Sequence, residues 1–339
     1  MRESYLISIS KKISAVQLLA ILFFGLSCVF AIIAIVASDV FFLRLATEAM
    51  IFGGLALSVD LLLGITGLLP LGQALFFGFG AYASALILKN WTTSIWIVLL
   101  ISTLFSALMG GLAGLIAIRS KGVYFALISF GLAQVVSKVV FNSRDLGASD
   151  GIIGVPNAEI LPGLTSGDPA VFFSFTILFI LFLYAGLNYL LATPYGRQLI
   201  AIKTNEHRVA FLGFSTWRYK LSAFVLAASI AGVSGALYPM LRGFVSPELM
   251  FFQVSGNAII NVIVGGTGTL IGPLYGSALL TGIRSVVGSF TPHHQLVIGV
   301  LFMAVVILLP RGIIGYLAPL LDSWRSRKRN AKIQEADHG

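Results

Sequence analysis

Ionisable residues inside apolar stretches are where chemistry could begin in this chain. Glu48, Asp60, Lys138 and Arg284 stand among long hydrophobic runs. A charge at the centre of a bilayer costs roughly 2.5–3.5 kcal/mol on insertion scales, so such a residue faces the protein interior or reaches toward water. Glu48 and Lys138 lie near run ends, where snorkelling is the plain reading. Asp60 and Arg284 lie deeper and are candidates for functional or paired groups. Around Asp60, residues 53–84 carry glycines at 64, 67, 72, 78 and 80 and a proline at 70. A long unbroken helix is excluded there, and helix breaks in a membrane are tolerated only against protein or a water-filled cavity. Discontinuous helices of this kind line translocation paths. A related stretch follows at 261–276, where Asn261, Gly265, Thr267 and Gly268 repeat Asp60, Gly64, Thr66 and Gly67 at a constant offset of 201. The candidate translocation path is therefore Asp60, Gly64, Thr66, Gly67, Gly72, Gln73, Asn261, Gly265, Thr267 and Gly268.

Catalytic and cofactor signatures are weak or missing. Gly147-Ala148-Ser149-Asp150-Gly151 matches G-x-S-x-G, but a nucleophile elbow needs a strand before it and a helix after it. Gly232-Val233-Ser234-Gly235 resembles the G-x-S-G of rhomboid intramembrane proteases, with His293 or His294 as base. The plain alternative is a small-residue face for close helix packing. Gly110-x-x-x-Gly114 and Gly272-x-x-x-Gly276 read the same way. There is no P-loop, no C-x-x-C and no H-E-x-x-H, and only four histidines occur. No catalytic residue, metal site or cofactor is expected.

The elements that position these residues follow from composition. The chain has 339 residues, is 58% hydrophobic and 10% charged, and holds one cysteine, Cys28. Soluble domains run near ~25% charged. These figures exclude a disordered chain, a disulfide scaffold and a soluble globule. They point to an all-α polytopic membrane protein. Ten stretches approach the ~20 apolar residues of a crossing helix: 16–37, 45–63, 67–88, 94–118, 123–141, 171–191, 220–241, 254–271, 273–290 and 295–315. The third, eighth and ninth are glycine-rich, broken or re-entrant, so the count is eight to ten.

With the N-terminus inside, 16 of the 22 Lys and Arg residues fall on the cytoplasmic side. Both termini are then cytoplasmic. The net charge of +9 thus records orientation and not a nucleic-acid surface. Residues 1–322 form the membrane unit, with an acidic outer loop at 142–170, and residues 323–339 form a cytoplasmic tail.

The inner connection 192–219 is basic and has helical periodicity. Thr204 or Asn205 can cap a short second helix, and Gly213 can end it. A short amphipathic helix at this place suits either a groove on a partner or the lipid surface.

These residues resemble the LivM-type permease family of bacterial branched-chain amino acid ABC importers. The likeness runs from about Leu55 to Gly315. It is carried by Leu61-Leu62-Leu63-Gly64 with Thr66-Gly67, Phe76-Phe77-Gly78 and Lys121-Gly122-Val123-Tyr124. It continues through Ser149-Asp150-Gly151, Gly196-Arg197, Asn205-Glu206, Leu212-Gly213 and Gly235-Ala236-Leu237-Tyr238, and closes with Gly272-Pro273 and Leu309-Pro310-Arg311-Gly312.

The resemblance implies a transport subunit, not an enzyme, driven by two separate ABC ATPase subunits. It implies a LivH-like second permease and a periplasmic or lipid-anchored substrate-binding protein. It places the chain in the bacterial inner membrane, in contact with lipid. It also implies that 192–219 is the coupling segment, with Gly196, Arg197, Ala201, Asn205, Glu206, Ala210 and Gly213 engaging the ATPases. Pro70, Gln73, Ala148 and His207 depart from the family pattern, where Ser, His, Gly and a nonpolar or basic residue are usual. Leucine, isoleucine and valine are the first expected substrates. Urea, short amides and aromatic acids are alternatives within the family. A secondary transporter and an intramembrane serine protease are the alternatives outside it.

Overall fold

The computed structural model describes residues 15–36, 39–290, 296, 299–300, 302–303, 307 and 312–321. The apolar runs are helices, as they must be where no water can satisfy backbone groups. In chain order they are α1 (Ala15–Val36), α2 (Val40–Asp60), α3 (Gln73–Asn90), α4 (Ile95–Ala117), α5 (Val123–Asn142) and α6 (Pro169–Ala192). Next come α7 (Pro194–Thr204), α8 (Glu206–Phe211), α9 (Thr216–Ala236), α10 (Tyr238–Arg242), α11 (Phe252–Gly265) and α12 (Gly272–Phe290). A further apolar helix, α13, covers Gly312–Leu321. Starts are set locally: Asp39 accepts from the Phe41 and Phe42 N–H groups to cap α2, and Asp168 accepts from Ala170 N–H ahead of α6.

Among the described residues, six stretches are long and apolar enough to cross a membrane: Ala15–Ala34, Val40–Thr66, Ile95–Ala117, Val123–Asn142, Pro169–Ala192 and Thr216–Arg242. The ten expected stretches each overlap a helix, but not all as full spans. The stretch at 67–88 is corrected: residues 67–72 are non-helical, and α3 starts at Gln73. The stretch at 254–271 is corrected as well. α11 stops at Gly265 after 14 residues, about 21 Å of helix, short of a hydrocarbon core of ~30 Å. Most of 295–315, residues 1–14 and the tail at 323–339 lie outside the described residues, and with them the placement of both termini.

α2 runs through the centre, and α9 packs beside it. The apolar window of α2 is 89% buried, whereas those of α1, α4, α5 and α6 are only 28–39% buried. Exposed leucines at 100, 104, 108 and 112 form one stripe along α4. Such a stripe is stable only against lipid or another apolar partner. The helices approach closely through glycine. Gly80 lies against the backbone of Gly232, Gly235 against Phe77, and Gly110 against Ala228, leaving no room for a Cβ. Gly232 and Gly235 thus serve packing.

The connection at 142–170 departs from pure helix. β1 (Ile152–Ile153) pairs antiparallel with β4 (Phe244–Val245), and β2 (Glu159–Leu161) with β3 (Leu164–Thr165). The β1–β4 pair ties the loop to the end of α10, while the β2–β3 pair closes a hairpin within the loop.

Candidate functional site

α2 does not stop at Asp60 but continues as a π-helix over Leu61–Thr66. The Thr66 hydroxyl donates to the Leu61 carbonyl at 2.8 Å, which fits the wider turn. Gly67 ends the segment in the left-handed region at φ 77°, and the Leu68 N–H donates back to the Leu62 carbonyl at 2.9 Å. Widened turns of this kind recur at functional sites.

Asp60 is fully buried, and its carboxylate serves as a backbone anchor. Oδ1 accepts from Gly268 N–H at 2.6 Å and Oδ2 from Leu270 N–H at 3.0 Å. Both donors belong to the turn between α11 and α12, so the first break holds the second. Gly268 has φ 77°, the same value as Gly67 at the offset of 201. Leu270 adopts φ 57°, a region branched and bulky residues rarely enter. The Asp60 carboxylate secures its N–H in that position. Gly64 lies directly against Asp60 and the Gly268 backbone, so a Cβ there has no space.

A third element reaches the same point. The Lys203 ammonium, in the last turn of α7, donates to the Gly64 carbonyl at 2.5 Å. Its aliphatic stem covers Gly67, where an added Cβ would meet Lys203 Cγ at 3.0 Å. Breaking a helix strands carbonyls that need donors, and a lysine offers one with a full charge. Lys203 was not among the expected site residues. Its distance of 139 residues from Gly64 leaves no trace in spacing or periodicity.

The connection at 192–219 is two helices meeting at Asn205. The Asn205 side-chain oxygen accepts from Arg208 N–H at 2.9 Å and caps α8, so Asn205 and not Thr204 is the cap. Gly213 follows in the left-handed region at φ 86°. Glu206 pairs with Lys220 on α9 at 2.6 Å and accepts from the Thr216 hydroxyl at 3.3 Å. Burial works against the ionised Glu206, but the hydrogen bond and charge of Lys220, with Lys121 and Thr216, hold its carboxyl below the usual value. Glu206 therefore fixes the angle between α8 and α9. Gly196 is buried against the Leu191 backbone and is a packing position. Arg197 and Ala210 are exposed and Ala201 is half-buried. The most prominent exposed group is apolar: Phe211 is 91% and Leu212 70% accessible.

The remaining path residues divide. Thr66 is buried within its own segment, Gly265 packs on the Gly272 backbone, and Asn261 is buried with its carbonyl against Gly276. Thr267 is exposed. Gly72 and Gln73 belong to another contact. Gly72 abuts the Ser129 carbonyl, Leu71 N–H donates to Ser129 Oγ, and Ala74 N–H donates to Ser255 Oγ. Gln73 is fully buried, and neither end of its amide has a hydrogen-bond partner among the described residues.

Other expectations resolve plainly. Asp60 and Arg284 do not pair; Arg284 lies on α12 toward the opposite end of α2. Glu48 is not a lone snorkelling group but binds Arg242 at 2.6 Å. Lys138 lies over the Phe141 ring at 5.2 Å. The Ser234 hydroxyl is fully buried, donates to the Ile230 carbonyl at 2.8 Å and packs on Gly54. That is a structural hydroxyl; His293 and His294 lie outside the described residues. Ser149 sits in a turn and donates to Asp150, without the strand–helix frame of an elbow.

Comparison with known proteins shows similarity over most of the chain. Residues 41–306 match the family model described as branched-chain amino acid transport system / permease component. The chain is 30% identical over 302 residues to the high-affinity branched-chain amino acid transport system permease protein LivM of Salmonella typhimurium and to that of Escherichia coli. In each case 82% of this chain and 71% of the relative are covered. It is 24% identical to a probable LivM permease of Methanocaldococcus jannaschii, covering 74% of this chain and 76% of the relative. No solved structure matches. With its several apolar crossing helices and these relatives, the chain is a multi-pass membrane protein and belongs to the family of branched-chain amino acid transport permease components.

Proposed function

We propose that this chain is one permease subunit of an ATP-driven importer of leucine, isoleucine and valine in the bacterial inner membrane. Its partners are a LivH-like second permease, two ABC ATPase subunits and a periplasmic or lipid-anchored substrate-binding protein. The observation that carries the proposal is the Lys203–Gly64 hydrogen bond. It connects the inner helix pair to a broken membrane helix, and through Asp60 to a second break. An importer without its own P-loop needs such a mechanical link, because the energy arrives from outside the chain.

In this reading α7 and α8 dock into the ATPase subunits, with Phe211 and Leu212 as the apolar contact. ATPase closure moves α8, and the Glu206–Lys220 pair carries that motion to α9. Lys203 carries it to the π-helix. The two glycine breaks then shift together, because Asp60 binds one to the other.

Uptake of labelled leucine into inside-out-controlled proteoliposomes holding the complete assembly tests the proposal. Uptake should require ATP and binding protein and persist without an ion gradient. Uptake that ignores ATP and collapses with the gradient identifies a secondary transporter instead. Competition by urea, short amides or aromatic acids in place of leucine reassigns the substrate within the family.

A further inference from the structure

A second polar site lies at the end of α2 away from Lys203. There α2, α10, β4 and α12 border an open cavity of about 510 Å³ whose lining includes Arg44, Glu48, Arg242 and Arg284. Three exposed arginines and the half-buried Glu48 thus share its lining. Glu48 Oε2 is taken by Arg242 at 2.6 Å. Arg44 and Arg284 are exposed and make no hydrogen bond or ion pair among the described residues, so the lining carries two more arginines than carboxylates. Thr281 and Ser285 add hydroxyls on the α12 side, while Phe52 and Leu241 supply an apolar wall. Arg44 and Arg242 also line an adjoining polar cleft of about 250 Å³ that runs under Asn157 and Ser166 of the loop. The cavity is therefore reached from the side that the charge pattern assigns to the outside.

We propose that this cavity is an entry site for an α-amino acid with an apolar side chain. The guanidinium fork matches a carboxylate with two parallel N–H···O bonds. Arg44 and Arg284 hold the substrate carboxylate. Glu48 Oε1, which has no partner among the described residues, accepts from the substrate ammonium. The side chain lies on Phe52 and Leu241. An amino acid released at the outer face is thus held by both of its charges before it moves toward the breaks near Asp60. This rests on the transport reading above and adds a specificity site within the permease itself.

Equilibrium binding of labelled leucine to the complete assembly, without binding protein, in phosphatidylcholine nanodiscs tests it. Saturable binding should be displaced by isoleucine and not by leucinamide, which lacks the carboxylate. Arg44→Gln and Arg284→Gln should each weaken it at least tenfold, and Arg284→Lys should weaken it less, with the complex still intact on gel filtration. An importer that transports leucine yet shows no saturable binding, or binding indifferent to both arginines, overturns the entry site alone. Replacement of leucine by phosphatidylglycerol in an arginine-dependent manner also overturns it and makes the cavity a lipid-headgroup site. A wild-type assembly that transports no leucine with binding protein and ATP overturns the transport reading, and the entry site with it.

Discussion

Lys203 and Gly64 are joined by a 2.5 Å hydrogen bond across 139 residues of sequence. One belongs to the short helix pair between α6 and α9; the other sits in the π-turn that breaks the central helix. Gly64 also touches Asp60 and Gly268. Three segments therefore meet on one glycine, and displacement of any of them is felt by the other two. Interiors packed this tightly transmit shifts instead of absorbing them.

Asp60 accepts from two backbone N–H groups and has one oxygen for each. Asp60→Asn keeps one acceptor but turns an amide NH2 toward the other donor. A buried donor left unsatisfied costs about 1–3 kcal/mol. The melting temperature of the purified protein should fall by several degrees, and uptake should fall further than expression does. An unchanged melting curve for Asp60→Asn counts against the anchor.

Glycine at 64 is required by contact, not by backbone angle. A Cβ there overlaps the Asp60 carboxylate and the Gly268 backbone, neither of which can yield cheaply. Gly64→Ala should prevent recovery of a folded complex or abolish uptake. Gly131→Ala in α5 is the matched control, because nothing lies within 4 Å of the added carbon. Equal effects at both positions contradict the close approach.

Glu206 makes the corner between α8 and α9 sensitive to acid. Its native carboxyl titrates below the usual value, so its contribution to stability is complete above the unfolded value and is lost as pH falls through the native one. The Glu206→Gln variant should be less heat-stable than wild type at neutral pH. That difference should shrink below the ordinary glutamate value of about 4.3 and vanish in stronger acid. A difference that stays constant across this range assigns the effect to something other than ionisation.

Phe211 and Leu212 expose apolar surface at the tip of the α7–α8 pair. Phe211→Glu should leave the permease folded, since the side chain touches little of its own chain, yet reduce co-purification with the ATPase subunits at least tenfold. Gly213→Pro should uncouple uptake by a different route. Proline cannot take up φ 86°, so the end of α8 is redirected while Phe211 is retained.

Much of this architecture can be read from residue order alone. The helices fall where apolar runs exceed a turn or two, and breaks fall at Gly67 and Gly268, where the repeated Gly-x-Thr-Gly signals a change of direction. Asn205 and Gly213 act as cap and stop because their side chains, or lack of one, act locally. What periodicity does not carry is distance. Lys203 has the look of one more solvated lysine on a basic helix. Only the packing of α7 against the end of α2 brings its ammonium to Gly64. Gly196 shows the converse: a family motif residue in α7 that packs inward against Leu191. Gln73, grouped with Asp60 by sequence, is drawn to α5 and α11 by the serines that bond its neighbours.

The most direct measurement is the number of leucine molecules imported per ATP hydrolysed by the reconstituted assembly carrying Lys203→Met. Methionine keeps the stem that covers Gly67 and removes only the donor to the Gly64 carbonyl. Assembly and ATP hydrolysis should persist, while leucine imported per ATP falls at least tenfold. A Lys203→Met importer with the wild-type ratio contradicts a coupling route through Lys203 and Gly64.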